Sequence, residues 1–175
     1  MKRTAYVSTP ETQTRLLLLI DTFSRKRNGD PRLLEGRTKL AKLDFLLRYP
    51  KHLNRALDAL GVKGGGAPSD SSRIADKMLR YRYGPWDPQY YSALGGLLGR
   101  GLIIALPTPR GYGYRTTNEG ERLCEWLLED DSFEDLARTL PVLRRHFDWT
   151  GNKLKTFIYE IVPELNELEW TKELS

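Results

Sequence analysis

The segment from Tyr83 to Leu123, YGPWDPQYYSALGGLLGRGLIIALPTPRGYGYRTTNEGERL, constrains this chain most, because its punctuation dictates an order of elements. Asp87-Pro88 pairs a capping carboxylate with a proline at the first helical position, so a helix starts there. Tyr91, Leu94 and Leu98 mark its expected inward stripe, and Gly99-Arg100-Gly101 stops it. Leu102 to Leu106 is expected as a strand, Pro107 to Gly113 as a turn, and Tyr114 to Thr116 as the returning strand. Thr116 and Glu119 have capping-box spacing, which predicts a second helix carrying Leu123, Trp126 and Leu127.

Helix, strand, tight turn, strand, helix is the back half of a winged helix-turn-helix. The expected fold is therefore mostly α with a small β-hairpin, a winged helix-turn-helix core with extra C-terminal helices. Thr9-Pro10-Glu11 opens the first helix of that core, and the five-residue run Leu16 to Ile20 predicts burial on more than one side. Asn28-Gly29-Asp30-Pro31 ends it with turn chemistry. In KLAKLDFLLRYP, Leu40, Leu43 and Leu47 fall at helical spacing, with Lys39, Lys42 and Asp44 expected on the solvent side. The glycine-rich stretch GVKGGGAPSDSS, near residues 61–73, is expected as a flexible insert within a winged-helix domain spanning 1–130. Residues 131–175 form the expected C-terminal helical extension. Phe133, Leu136 and Leu140 share a face before Pro141, Leu154, Phe157, Ile158 and Ile161 follow the helical template, and Pro163 kinks or stops that last helix.

Charge is unevenly spread. The whole chain of 175 residues carries a formal +5, but residues 1–100 hold a balance of +10 and residues 101–175 a balance of −5. A basic front fits phosphates or an acidic protein surface, whereas an acidic back argues against simple wrapping by nucleic acid. The single cysteine, Cys124, excludes an internal disulfide and a cysteine zinc site. Only His52 and His146 are present, in no nucleophile-activating context, and Gly64-Gly65-Gly66 lacks the lysine of a phosphate loop. No catalytic residue, metal ligand or cofactor is expected. A start without an apolar core and the absence of long apolar runs make a cytoplasmic protein the expectation.

The helix after the expected turn occupies the position that enters the major groove in DNA-binding winged helices. Its face is poor in base-reading groups, since only Gln89 qualifies, and it carries Gly95, Gly96 and Gly99. Each glycine costs a helix roughly 0.8–1 kcal/mol relative to alanine, which close approach of another backbone would offset. The expected partner-binding residues are accordingly Trp86, Tyr90, Gly95, Gly96 and Gly99, together with Phe157, Ile161, Leu165 and Trp170 on the C-terminal apolar edge. Arg37, Lys39, Lys42, Arg80, Arg82, Arg110 and Arg115 are candidates for contact with a duplex DNA backbone, which gives affinity without sequence information.

Two blocks carry a family resemblance. GRTKLAKLDFLLRYP, followed by RYRYGPWDPQYYSALGGLLGRGLI and YRTTNEGERL, resembles the middle component of bacterial ABC-three component systems, best known from Lamassu-type antiviral and antiplasmid operons. The likeness spans roughly residues 36–127. It implies a small non-enzymatic adaptor subunit that assembles with a coiled-coil ATPase of the SMC or Rad50 type and with a nuclease-type effector. The alternative is a free-standing winged-helix transcriptional regulator that binds DNA.

Overall fold

A computed structural model describes residues 9–63 and 89–165. The expectations that fall on the first residues of the insert's neighbour helix (Asp87-Pro88), on the insert beyond Lys63 and on the last ten residues lie outside that range. Within it the chain is mostly helical, with a small antiparallel sheet. Seven α-helices are described: α1 Pro10–Thr22, α2 Arg37–Arg48, α3 Pro50–Ala59, α4 Gln89–Gly99, α5 Asn118–Glu129, α6 Glu134–His146 and α7 Gly151–Ile161. The strands are β1 Leu34–Glu35, β2 Ile103–Thr108 and β3 Gly111–Thr116, in the order β1-β3-β2.

Helix α1 is the axis of the molecule. Thr9 caps it by accepting from the Thr12 N–H, and Pro10 takes a position whose own N–H needs no partner. Leu16 to Ile20 are all buried, as expected of an unbroken apolar run, because α2, α4, α5, α6 and β3 pack around this helix. The Asn28–Pro31 turn reverses the chain into β1, with the Lys26 N–H donating to the Asp30 carbonyl at 2.8 Å.

The hairpin is longer than its punctuation predicts. Pairing runs from Ile103↔Thr116 to Thr108↔Gly111, so Pro107 lies in the strand, opposite Tyr112, and only Pro109 and Arg110 turn. A proline is tolerated there because β2 is an edge strand and its missing N–H breaks no ladder. Strand β1, which periodicity did not announce, pairs through Leu34↔Tyr114 and Glu35↔Gly113. At the other end, Gly101 adopts φ 69°, the left-handed stop that ends α4. Helix α5 is capped by Thr117, which accepts from the Gly120 N–H, rather than by Thr116. Thr116 instead donates to the Asp21 carboxylate at 2.8 Å, tying the sheet to α1.

Two proline expectations part ways. Helix α6 runs through Pro141, with Leu140 and Leu143 anchored in the core on either side, whereas α7 ends at Ile161 before Pro163. Leu140, Leu143, Phe147, Leu154, Ile158 and Val162 from this C-terminal part join the same apolar cluster as α1 and α2.

Helix α2 departs most from its periodicity. Every residue from Leu40 to Leu47 is buried, including Lys42 and Asp44, because α1, α3, α6, α7 and β1 surround the helix. Asp44 is fully buried and accepts from Arg15 Nε at 2.8 Å, Arg15 Nη2 at 3.3 Å and the Tyr90 hydroxyl at 2.5 Å. A lone buried carboxylate would be heavily penalised, so the forked guanidinium and the phenol are what allow it there. The bond joins α1, α2 and α4, and burial together with Asp44's charge raises the Tyr90 phenol well above its usual range.

Candidate docking surface

Helix α4 contains no charged residue, yet one side of it is open. Tyr90, Ala93, Leu94 and Leu97 face the core, while Tyr91, Leu98, Gly95 and Gly99 are exposed. The inward stripe is therefore offset from the expected Tyr91, Leu94 and Leu98. Placing the Tyr90 hydroxyl on Asp44 selects this rotation, and it turns Tyr91 outward to 57% exposure. Ala93 is buried for the same reason. Gln89 is turned back on α1, where its side-chain oxygen accepts from the Thr12 hydroxyl at 3.3 Å.

The three glycines of α4 differ. A methyl group added at Gly95 or Gly99 would meet nothing within 4 Å, so no packing inside the described chain requires glycine at either place. At Gly96 it would lie 3.1 Å from the Gln13 amide, so this glycine serves the α1 contact and is only half-exposed. Gly95 and Gly99 are one helical turn apart and share a face with Tyr91. Arg37, at the start of α2, lies over the Tyr91 ring at 4.9 Å from its centroid. The result is a shallow, side-chain-poor surface bordered by one aromatic ring and one guanidinium.

Other expected partner residues do not extend it. Tyr90 is 2% exposed and Leu165 is 1% exposed, so both belong to the core rather than to a surface. Phe157 is half-buried in an aromatic group with Phe147 and Trp149, at centroid distances of 6.1 and 5.1 Å, and Ile161 is half-buried against the same core. Trp86 and Trp170 lie outside the described residues, as do Arg80 and Arg82.

The expected phosphate contacts separate in the same way. Arg37 is exposed, and Arg110 is exposed at the hairpin tip. Arg115 is half-buried beside Thr116, Asn118 and Glu121. Lys42 is buried and sits over the Tyr159 ring at 5.5 Å, so its ammonium is not offered to solvent. Lys39 is engaged by Asp148 at 2.8 Å. Asp148 also accepts from Arg32 at 2.7 Å and from Arg144, so three cations converge on one carboxylate above the Phe23 ring. Burial alone would raise the Asp148 carboxyl; hydrogen bonds from Arg32 and Lys39 and their charges outweigh it and hold the group well below the usual range. Burial, with a smaller contribution from the nearby Arg32 and Arg144 charges, lowers the Lys39 ammonium despite that partner. Beside this hub lies a cleft of about 600 Å³ lined by Arg32, Glu35, Lys39, Arg110, Asp148 and Trp149. Two of its three cations, Arg32 and Lys39, are taken up by Asp148, so that part of the cleft braces the β1–α2 junction against the α6–α7 junction.

One surface residue escaped the periodicity. Trp126, which falls at helical spacing with Leu123 and Leu127 on α5, is 66% exposed. Its signal was present: Glu119, Arg122, Trp126 and Glu129 share one helical face, and that face is charged.

The lone cysteine and one of the two histidines are enclosed. Cys124 is buried, which pushes its thiol far up and leaves no thiolate at neutral pH. His52 is buried with its ring stacked on Phe45 at 5.4 Å. Among the described residues, no three His, Cys, Asp or Glu side chains gather as a metal site, and no helix is long and apolar enough to cross a membrane. Neither a protein-family model, nor a curated protein, nor a solved structure matches the chain.

Proposed function

We propose that this chain is a non-catalytic adaptor built on a winged-helix scaffold, and that the open face of α4 is where a partner polypeptide rests. The observation that carries this reading is the pair Gly95 and Gly99. Each lowers helix stability by roughly 0.8–1 kcal/mol relative to alanine, and nothing within the described chain comes near enough to require it. A second backbone approaching that face would need the room. The order α1-β1-α2, then α4-β2-β3 after the additional helix α3, with β1 pairing β3, supports the winged-helix assignment.

The sequence resemblance supplies the partner: an SMC- or Rad50-like coiled-coil ATPase that controls a nuclease-type effector in a cytoplasmic antiviral or antiplasmid complex. Exposed Arg37 and Arg110 leave room for auxiliary contact with a duplex DNA backbone, and they are what favours the alternative of a DNA-binding regulator.

Co-purification tests the reading. Co-expressed with the genes that flank its own, the wild-type chain is expected to be recovered in complex with a coiled-coil ATPase. Gly95→Arg and Gly99→Arg are expected to abolish recovery without lowering the melting temperature of the isolated chain. Recovery of both variants with the ATPase would remove α4 from the interface. Tight, sequence-selective binding of the isolated chain to duplex DNA at about 150 mM salt would establish the regulator instead.

A further inference from the structure

Helix α5 carries a second surface, distinct from the face of α4 though both helices pack against α1. It buries Gly120 and Cys124 and half-buries Leu123 and Leu127. Trp126 lies two residues beyond Cys124, roughly 200° around the helix, and is therefore driven outward. At 66% it is the most exposed large apolar side chain among the described residues. Its ring makes no aromatic or cation–π contact with any of them.

The residues around it form a pattern. Glu119, Arg122, Trp126 and Glu129 recur at spacings of three, four and three residues and so line one face of α5. Arg122 is the one cation on that face and is paired with Glu119 at 3.0 Å. Glu125 and Glu129 flank the indole, and Asp130 and Asp131 continue the negative charge past the end of α5; all four are exposed. This acidity repels phosphate and so excludes nucleic acid as the occupant. An exposed indole among carboxylates is complementary to Lys or Arg side chains, whose cations can lie over the ring while their stems cover it.

We propose that this face of α5 is a docking seam for a Lys/Arg-bearing amphipathic helix of another protein, with Trp126 as its anchor. The seam does not depend on α4 being a partner surface. If both are occupied, the chain bridges two proteins by way of α1.

The full chain is titrated with a labelled amphipathic Lys/Leu peptide of about 18 residues, long enough to be helical when bound, and with its Glu/Leu counterpart. The Lys/Leu peptide is expected to bind and the Glu/Leu peptide to fail. Trp126→Ala is expected to weaken binding at least about tenfold without lowering the melting temperature. Glu129→Lys is expected to weaken binding and flatten its salt dependence, whereas Asp58→Lys, an exposed change on α3, leaves it as in wild type. Equal affinity of Trp126→Ala and wild type, or equal losses from Glu129→Lys and Asp58→Lys, would overturn the proposal. So would wild-type self-association in sedimentation that Trp126→Ala abolishes, because a second copy of the chain would then be the occupant.

Discussion

Helices α2 and α4 invert what their compositions suggest. Helix α2, RTKLAKLDFLLR, is rich in charge and is buried on almost every side; α4, QYYSALGGLLG, has no charge and leaves a whole face open. The difference lies in their neighbours. Five elements enclose α2, and its charges are kept by partners brought to them: Arg15 and Tyr90 on Asp44, the Asp148 hub on Lys39. Helix α4 is packed mainly by α1 and β2, and nothing in the described chain covers Gly95 or Gly99. Charged residues can thus be structural and apolar ones available. An argument about interfaces has to begin from what each side chain already touches.

The largest expected effect breaks the buried half of that contrast. Asp44→Ala leaves the Arg15 guanidinium facing a hole and the Tyr90 hydroxyl without its acceptor. Loss of one partner of a buried pair costs about 3–5 kcal/mol, read as a lower denaturation midpoint in urea. A loss under about 1 kcal/mol would mean that solvent already reaches the pair.

A smaller effect separates the Asp148 hub from that network by its pH dependence. The folded state holds the Asp148 carboxyl below its unfolded value near 3.8, so its stabilisation is fully present above that value and is lost as pH falls toward the folded one. Asp148→Asn is expected to destabilise by about 1.5–3 kcal/mol at neutral pH through weaker bonds to Arg32, Lys39 and Arg144. The gap to wild type is expected to close as the pH is lowered below about 4. A gap that stays constant down to about pH 2 would show that charge on Asp148 contributes nothing.

The smallest effect has the opposite sign and sharpens the exposed half. Gly95→Ala meets open space in a helical backbone, so it is expected to stabilise the isolated chain by about 0.5–1 kcal/mol, a rise of a few degrees in Tm. Destabilisation would show that this glycine already serves the monomer.

Much of the local architecture was legible because it depends on neighbours in sequence. Thr9-Pro10 starts α1, Gly101 stops α4, and the hairpin follows from alternation and turn residues. Rotation about a helix axis was less legible. Tyr90 and Tyr91 are chemically alike, and only an acceptor on α2 decides which one turns inward. The α5 cap moved by one residue because Thr116 found Asp21, 95 positions away, and Trp126 turned outward with its charged helical face. Of the expected site, Gly95, Gly99, Arg37 and Arg110 lie on the surface; Tyr90, Leu165 and Lys42 do not, and Lys39 is held in the hub.

The amino-acid order alone determined where α1 starts and α4 stops, that a hairpin follows α4, and the unequal charge of the two parts, because capping, steric preference and composition act within a few residues. Tertiary structure alone decided which face of each helix is spent on the core. That choice rests on partners distant in sequence, as when Asp44 draws Arg15 and Tyr90 together and leaves Gly95 and Gly99 of α4 bare.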